Sequence, residues 1–270
     1  MKTLYSPGPS EFERLTTLEL RRQFLLDGLF EPGRIHLTAT SLDRLIVGGA
    51  IPTPELSLEA GPELRADYFN QRRETGLINL GTPGEIVVDG SSFAVGTREC
   101  LYIGMGAREI HLRGSGSAYY LLSAPAHREF PTRLAAHREA SIAETGDARH
   151  ASRRRIVRHI HEGGVQSCQL VMGYTELLEG NVWNTWPAHT HRRRSEIYLY
   201  FDTNGGLITH FLGEPTQTRH VIVRDREAVL SPPWSIHSGV GTSAYRFVWG
   251  MAGENRTFED MDPVEEREFA

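Results

Sequence analysis

Residues 187–201, PAHTHRRRSEIYLYF, crowd two histidines, three arginines and a glutamate into the head of an apolar run. His189 and His191 are two residues apart, and on an extended strand such side chains share a face. Glu196 lies seven residues beyond His189, which strict alternation would turn to the opposite face. The intervening RRRS is therefore expected to form a bulge or turn that brings it back. His237 follows LSPPWSI, where two prolines end one strand and aim the next. Three neutral imidazoles and one carboxylate suit Zn2+, Mn2+, Fe2+ or Ni2+ and leave coordination positions for substrate or water. The competing reading makes these ordinary histidines beside a polar turn. A lone H-x-H would favour that; Glu196 and the proline-led His237 favour the metal.

The elements that must position these residues are short strands. Runs such as GEIVVDG, AYYLLSAP, EIYLYFD, HVIVRD and YRFVWGMAG recur between Gly, Pro, Asn and Asp, which predicts an all-β sandwich or barrel. The best helix candidate is the N-terminal SEFERLTTLELRRQFLLDGLF, with Ser10 as N-cap and Glu13 three residues later. Residues 131–155 are polar and weakly patterned and read as a linker between barrels at 1–130 and 156–270. The two halves match when Glu74 in RRETGLINL is set against Glu196 in RRSEIYLYF, and TREC (97–100) against DREA (225–228). Carried forward, that second register puts Glu109 opposite His237. The ligand positions of the first half then become Asp67, Phe69, Glu74 and Glu109. Phe69 cannot bind a metal and no imidazole remains, so the first barrel is expected to be metal-free and structural.

Composition narrows the function further. The chain of 270 residues carries a net charge of −5 and has no basic stripe, which argues against a nucleic-acid partner. No run of about 18 apolar residues suggests a membrane span, and the N-terminus lacks the apolar segment of a secretory signal. A cytoplasmic location is expected. Lys2 is the sole lysine, so catalysis through a lysine Schiff base is almost excluded. Cys100 and Cys168 sit in strand-like stretches and read as reduced core residues. GMG (104–106) is a turn, RRR (153–155) a solvated turn or subunit surface, and His127 an ordinary hydrogen-bonded histidine. Of the four tryptophans, Trp186 and Trp234 are the candidates for lining a pocket, with core packing the default for the others.

The pattern H-x-H-x4-E with a distant H resembles the metal motif of the cupin superfamily. NVWNTWPAHTHRRRSEIYLYF, TRHVIV, AVLSPPWSIHSGVGTSAYRFVWGMAGEN and DMD, with LDRLIVGGAIP, YFNQRRETGLINLG and APAHREFPT nearer the N-terminus, are similar to the 5-dehydro-4-deoxy-D-glucuronate isomerase family. That resemblance implies an all-β bicupin, two double-stranded β-helix barrels with a short N-terminal helix, assembled as a homohexamer. It implies one zinc per chain, or another divalent metal, on His189, His191, Glu196 and His237. The family's two motif arginines match Arg193 and Arg194, which are expected to bind the substrate carboxylate. The implied reaction is the aldose–ketose isomerisation of 5-dehydro-4-deoxy-D-glucuronate to 3-deoxy-D-glycero-2,5-hexodiulosonate in pectin breakdown. Glu254 and Tyr245 are the candidate bases, and both an enediolate route and a hydride shift stay open. The alternatives are a 5-deoxyglucuronate isomerase, a metal-dependent cupin dioxygenase and a non-catalytic sugar-binding cupin.

Overall fold

A computed structural model describes residues 1–270, the side chain of Glu139 excepted. Its elements are overwhelmingly β-strands, and none of its helices is long and apolar enough to cross a membrane among the described residues. The chain divides into two compact units. The first comprises Met1–Leu4, Gly28–Ser141 and Arg158–Met172; the second comprises Tyr5–Asp27, Ile142–Val157 and Gly173–Ala270.

The boundaries expected from sequence therefore shift. Residues 5–27 belong with the second unit because Phe12, Leu20 and Phe24 are buried there. Phe12 packs edge-on against Trp234 at 5.2 Å, and Leu25–Leu26 pairs with Ala228 and Val229. The supposed linker is also structured. Arg133–Ala135 pairs with Cys100–Tyr102, and Ser141–Thr145 sits beside Arg154–Ile160 at a sheet edge. The single N-terminal helix expected from Ser10 is two short ones, Pro9–Phe12 and Thr17–Phe24. The effective cap is Thr16, whose hydroxyl accepts from the Glu19 amide while the Glu19 carboxylate accepts from the Thr16 amide at 2.7 Å. That reciprocal pair satisfies two donors at the start of the second helix, which starts a new cap instead of extending the first.

Each unit repeats one topology. In the first, a seven-stranded sheet runs Lys2–Leu4, Ile35–Thr40, Ile46–Ala50, Tyr119–Pro125, Arg73–Asn79, Cys100–Ile103 and Arg133–Ala135. In a second seven-stranded sheet, most of it in the second unit, Ser141–Thr145, Arg154–Ile160, Val171–Leu177, Arg246–Gly253, Arg194–Phe201, Ala228–Ser231 and Leu25–Leu26 take the same order. A four-stranded sheet accompanies each. The core of the first barrel is built from Leu77, Ile86, Leu101, Leu112 and Leu121, all almost wholly buried.

The repeat is real, but its register differs by one residue from the sequence alignment at the glutamates. The Arg98 amide donates to the Asn79 carbonyl, and the Arg226 amide donates to the Tyr200 carbonyl. Leu101 faces Leu77 as Val229 faces Tyr198, and Ile103 faces Thr75 as Ser231 faces Glu196. Thr75, not Glu74, is therefore the counterpart of Glu196. A slip of one residue turns a side chain to the other face of the sheet. Glu74 accordingly accepts from the backbone amides of Cys168, Gln169 and Leu170 at 2.6, 2.8 and 2.7 Å. Thr75 instead donates to Asn70 at 2.8 Å, and Asn70 holds the place of His191 by the same count. The positions answering to the ligand quartet are thus Tyr68, Asn70, Thr75 and Glu109.

Cys100 is fully buried, and that burial pushes its thiol well above the ordinary range. Cys168 departs from the expectation of a core residue. It is half-buried, with its sulfur 3.1 Å from His127 Nδ1. Both thiols are free.

Candidate active site

Arg194–Phe201 lies between Arg246–Gly253 and Ala228–Ser231 and is buried along its whole length. Alternation sends Glu196 and Tyr198 into a cavity of about 480 Å3. The turn expected from RRRS is present: the Arg194 amide donates to the His191 carbonyl at 3.1 Å. It resets the face, so that Glu196 rejoins the histidines. His189 is carried by the short strand His189–Thr190, paired with Asp262–Pro263. His237 directly precedes Ser238–Gly241, after a turn in which the Ser235 amide donates to the Pro232 carbonyl at 2.9 Å.

The four side chains converge. His189 Nε2 is 3.1 Å from both His191 Nε2 and His237 Nε2. Glu196 Oε2 lies 3.0 Å from His191 Nε2 and 2.9 Å from His237 Nε2. One ligand atom from each falls within 4.8 Å of every other, the one such group of three or more among the described residues. Ligands about 2.0–2.1 Å from one divalent ion would stand about 2.9 Å apart at right angles, or about 3.3 Å in a tetrahedron. The donor set and its spacing fit a metal.

The electrostatics fit as well. Burial first, and then the neighbouring imidazoles, hold His189 well below the ordinary histidine range. His237 is lowered, again chiefly by burial. Burial opposes ionisation of Glu196, yet His237 and His191 outweigh it, and the carboxyl sits well below the usual range. His191 Nδ1 is 2.7 Å from the Asp260 carbonyl, which can only accept. The proton thus sits on Nδ1, and the Nε2 lone pair points at the cluster.

Other expected site residues lie elsewhere. Arg194 is buried and donates to the carbonyls of Thr257, Phe258 and Asp260 at 2.6, 3.1 and 3.0 Å. Arg193 forks onto the carboxylates of Asp260 and Asp262. Neither lines the cavity, because the turn that brings Glu196 inward sends both guanidinium groups toward the C-terminal segment 257–262. Tyr245 is also buried away from it, accepting from Asn184 Nδ2 at 2.7 Å. Glu254 is exposed. Of the tryptophans, Trp186 and Trp249 line the cavity. Trp183 stacks on Phe211, and Trp234 packs on Phe12.

Five polar wall residues escaped the sequence reading: Thr145, Arg154, Thr175, Thr185 and Tyr198. Tyr198 Oη is 2.9 Å from Thr185 Oγ1. Burial, then the Glu196 charge, raise its phenol well above the ordinary range, so it stays a neutral donor. Alternation from Glu196 would have found Tyr198. Nothing local marked Thr185.

Two repeated barrels, one of which closes a three-histidine, one-glutamate cluster inside an apolar cavity, define a bicupin with a candidate metal centre. The chain belongs to the KduI/IolB family, whose model matches residues 29–266. It is 52% identical over 270 residues to the 4-deoxy-L-threo-5-hexosulose-uronate ketol-isomerase of Opitutus terrae, covering 98% of each chain. To the protein of the same name from Halalkalibacterium halodurans it is 47% identical over 268 residues, covering 97% of each. Its fold is similar to that of an IolB-like protein of Salmonella typhimurium, at a TM-score of 0.69 and 17% identity, covering 83% of this chain and 88% of that one.

Proposed function

We propose that the chain is an aldose–ketose isomerase that converts 5-dehydro-4-deoxy-D-glucuronate, the same compound as 4-deoxy-L-threo-5-hexosulose uronate, to 3-deoxy-D-glycero-2,5-hexodiulosonate. The observation that carries the reading is the His189, His191, Glu196 and His237 cluster, in a cavity sized for a sugar acid, on a chain so similar to named ketol-isomerases. A divalent ion on those four side chains, which we assign as zinc, would supply Lewis-acid polarisation of the substrate's C1 and C2 oxygens. The chain's own residues do the rest. Buried imidazoles kept neutral present lone pairs to the cluster. Tyr198 offers a neutral hydroxyl from the wall, and Trp186, Trp249 and Phe258 keep the cavity apolar. Proton transfer between C2 and C1 falls to a group on this wall, where neither Glu254 nor Tyr245 stands.

The same reading makes the enzyme a cytoplasmic homohexamer acting in pectin breakdown, with a first barrel that binds no metal. Thr75 and Asn70, at positions answering to Glu196 and His191, support that last point, since both are neutral and already bonded to each other.

The test is incubation of the purified protein with the unsaturated monouronate of pectate lysis, with NMR of the product and metal analysis alongside. Appearance of the 2,5-diulosonate, abolished in His237→Ala together with the bound metal, is the expected result. Turnover of 5-deoxyglucuronate instead, oxygen uptake, or no turnover at all in a metal-loaded protein would reject the reading.

A further inference from the structure

Three consecutive arginines, Arg153, Arg154 and Arg155, straddle the start of the strand Arg154–Ile160. Arg153 and Arg155 turn to Glu144, at 3.8 and 2.9 Å, and Arg155 also reaches Glu176 at 3.4 Å. Arg154 takes the opposite face, as alternation requires, and with Ile156 it lines the cavity that holds the histidine cluster. It is not the solvated residue that a run of three arginines suggests.

Its Nη1 donates to the Ser152 carbonyl at 2.9 Å, and among the described residues no carboxylate pairs with it. Its guanidinium is half-buried and always charged, so the charge stands in the cavity without a counter-ion. Burial lowers its pKa, with only the phenols of Tyr198 and Tyr245 acting the other way. A charge left partly desolvated without a partner is costly, and a cavity that keeps one suits an anion that arrives later. The wall beside it, including Trp186, Trp249, Met251 and Phe258, is apolar, so apart from a metal on the histidine cluster Arg154 is the cation the cavity offers such an anion.

We propose that Arg154 binds the carboxylate of the sugar acid, while the His189, His191, Glu196 and His237 cluster takes the carbonyl end. The identity of the sugar rests on the isomerase reading; the need for an anion does not. A planar guanidinium grips a carboxylate through two parallel hydrogen bonds, which lysine cannot reproduce. Arg154 then sets the preference for a uronate over a neutral sugar.

Calorimetric binding of D-glucuronate and of its neutral amide, D-glucuronamide, to the metal-loaded protein tests this. The wild type should bind the acid about tenfold or more tightly than the amide. Arg154→Met should abolish that preference, and Arg154→Lys should restore part of it, both with full metal content. In turnover, Arg154→Met should lower kcat/KM on the uronate by about tenfold to a hundredfold, mostly through KM. Equal binding of acid and amide by the wild type would overturn the proposal without any variant. So would an acid preference that persists in a metal-replete Arg154→Met. A wild type that selects the acid yet does not turn over the unsaturated monouronate would leave Arg154 standing and remove the isomerase instead.

Discussion

Arg194 and His191 share one acceptor. The Asp260 carbonyl receives His191 Nδ1 at 2.7 Å and Arg194 Nη2 at 3.0 Å. The segment that orients a cluster imidazole is thus itself held by a buried guanidinium from the same turn. Arg193 adds an outer grip on the Asp260 side chain.

Arg194→Met should therefore act on stability and on the metal together. It strips donors from three carbonyls, at a cost of roughly 3 kcal/mol, and should weaken metal binding about tenfold to a hundredfold. Arg193→Met, at a half-exposed position, should do much less of both. Thermal unfolding and metal titration decide it. An Arg194→Met protein with wild-type Tm and metal affinity would show that the shared acceptor is incidental.

Glu254 and Tyr198 separate an exposed acid from a cavity hydroxyl. Glu254→Gln should leave kcat and KM within about twofold, since the side chain is exposed and away from the cavity. Tyr198→Phe should lower kcat about tenfold or more with metal content intact, because the cavity that the proposed reaction uses loses a preorganised hydroxyl from its wall. Steady-state kinetics with parallel metal analysis would sink the contrast if the two variants ranked the other way.

Acid should weaken the protein through His159. Its ring is buried, with Nε2 3.0 Å from the Arg98 carbonyl, and burial pushes it down to about 4. The unfolded histidine titrates near 6.5, so below that pH the unfolded state holds more protons than the native one. Stability from this group is fully present above about pH 6.5 and is lost as pH falls through about 4. The slope approaches about 1.4 kcal/mol per pH unit inside that window. Denaturant unfolding at pH 7 and pH 5 should show a smaller difference in His159→Gln than in the wild type. An identical difference would assign the acid sensitivity elsewhere.

The second N-terminal helix offers a local test. Thr16→Ala removes the hydroxyl that receives the Glu19 amide and should cost about 1 kcal/mol. Ser10→Ala, inside the first short helix and not at its cap, should be close to neutral. Equal losses would restore the single-helix reading.

What the sequence determined by itself was local. Strand periodicity, the H-x-H pair, the turn in RRRS and the prolines before His237 are written in neighbouring residues, and they assembled the quartet. The repeat was visible because both halves carry the same strand pattern. Tertiary structure decided everything that depends on a distant partner or on a face. Glu74 looked like Glu196 in one dimension, but the backbone pairing of Leu77 with Leu101 places Thr75 there, and one residue of register reverses a side chain. Arg193 and Arg194 lie next to the ligands in the chain, yet carbonyls and carboxylates more than sixty residues away claim them. Arg154 lies far from the motif in the chain, yet alternation against its two acid-paired neighbours turns it into the cavity. Ligand chemistry is set by residue type; which charge faces a cavity is set by which face of which strand closes it.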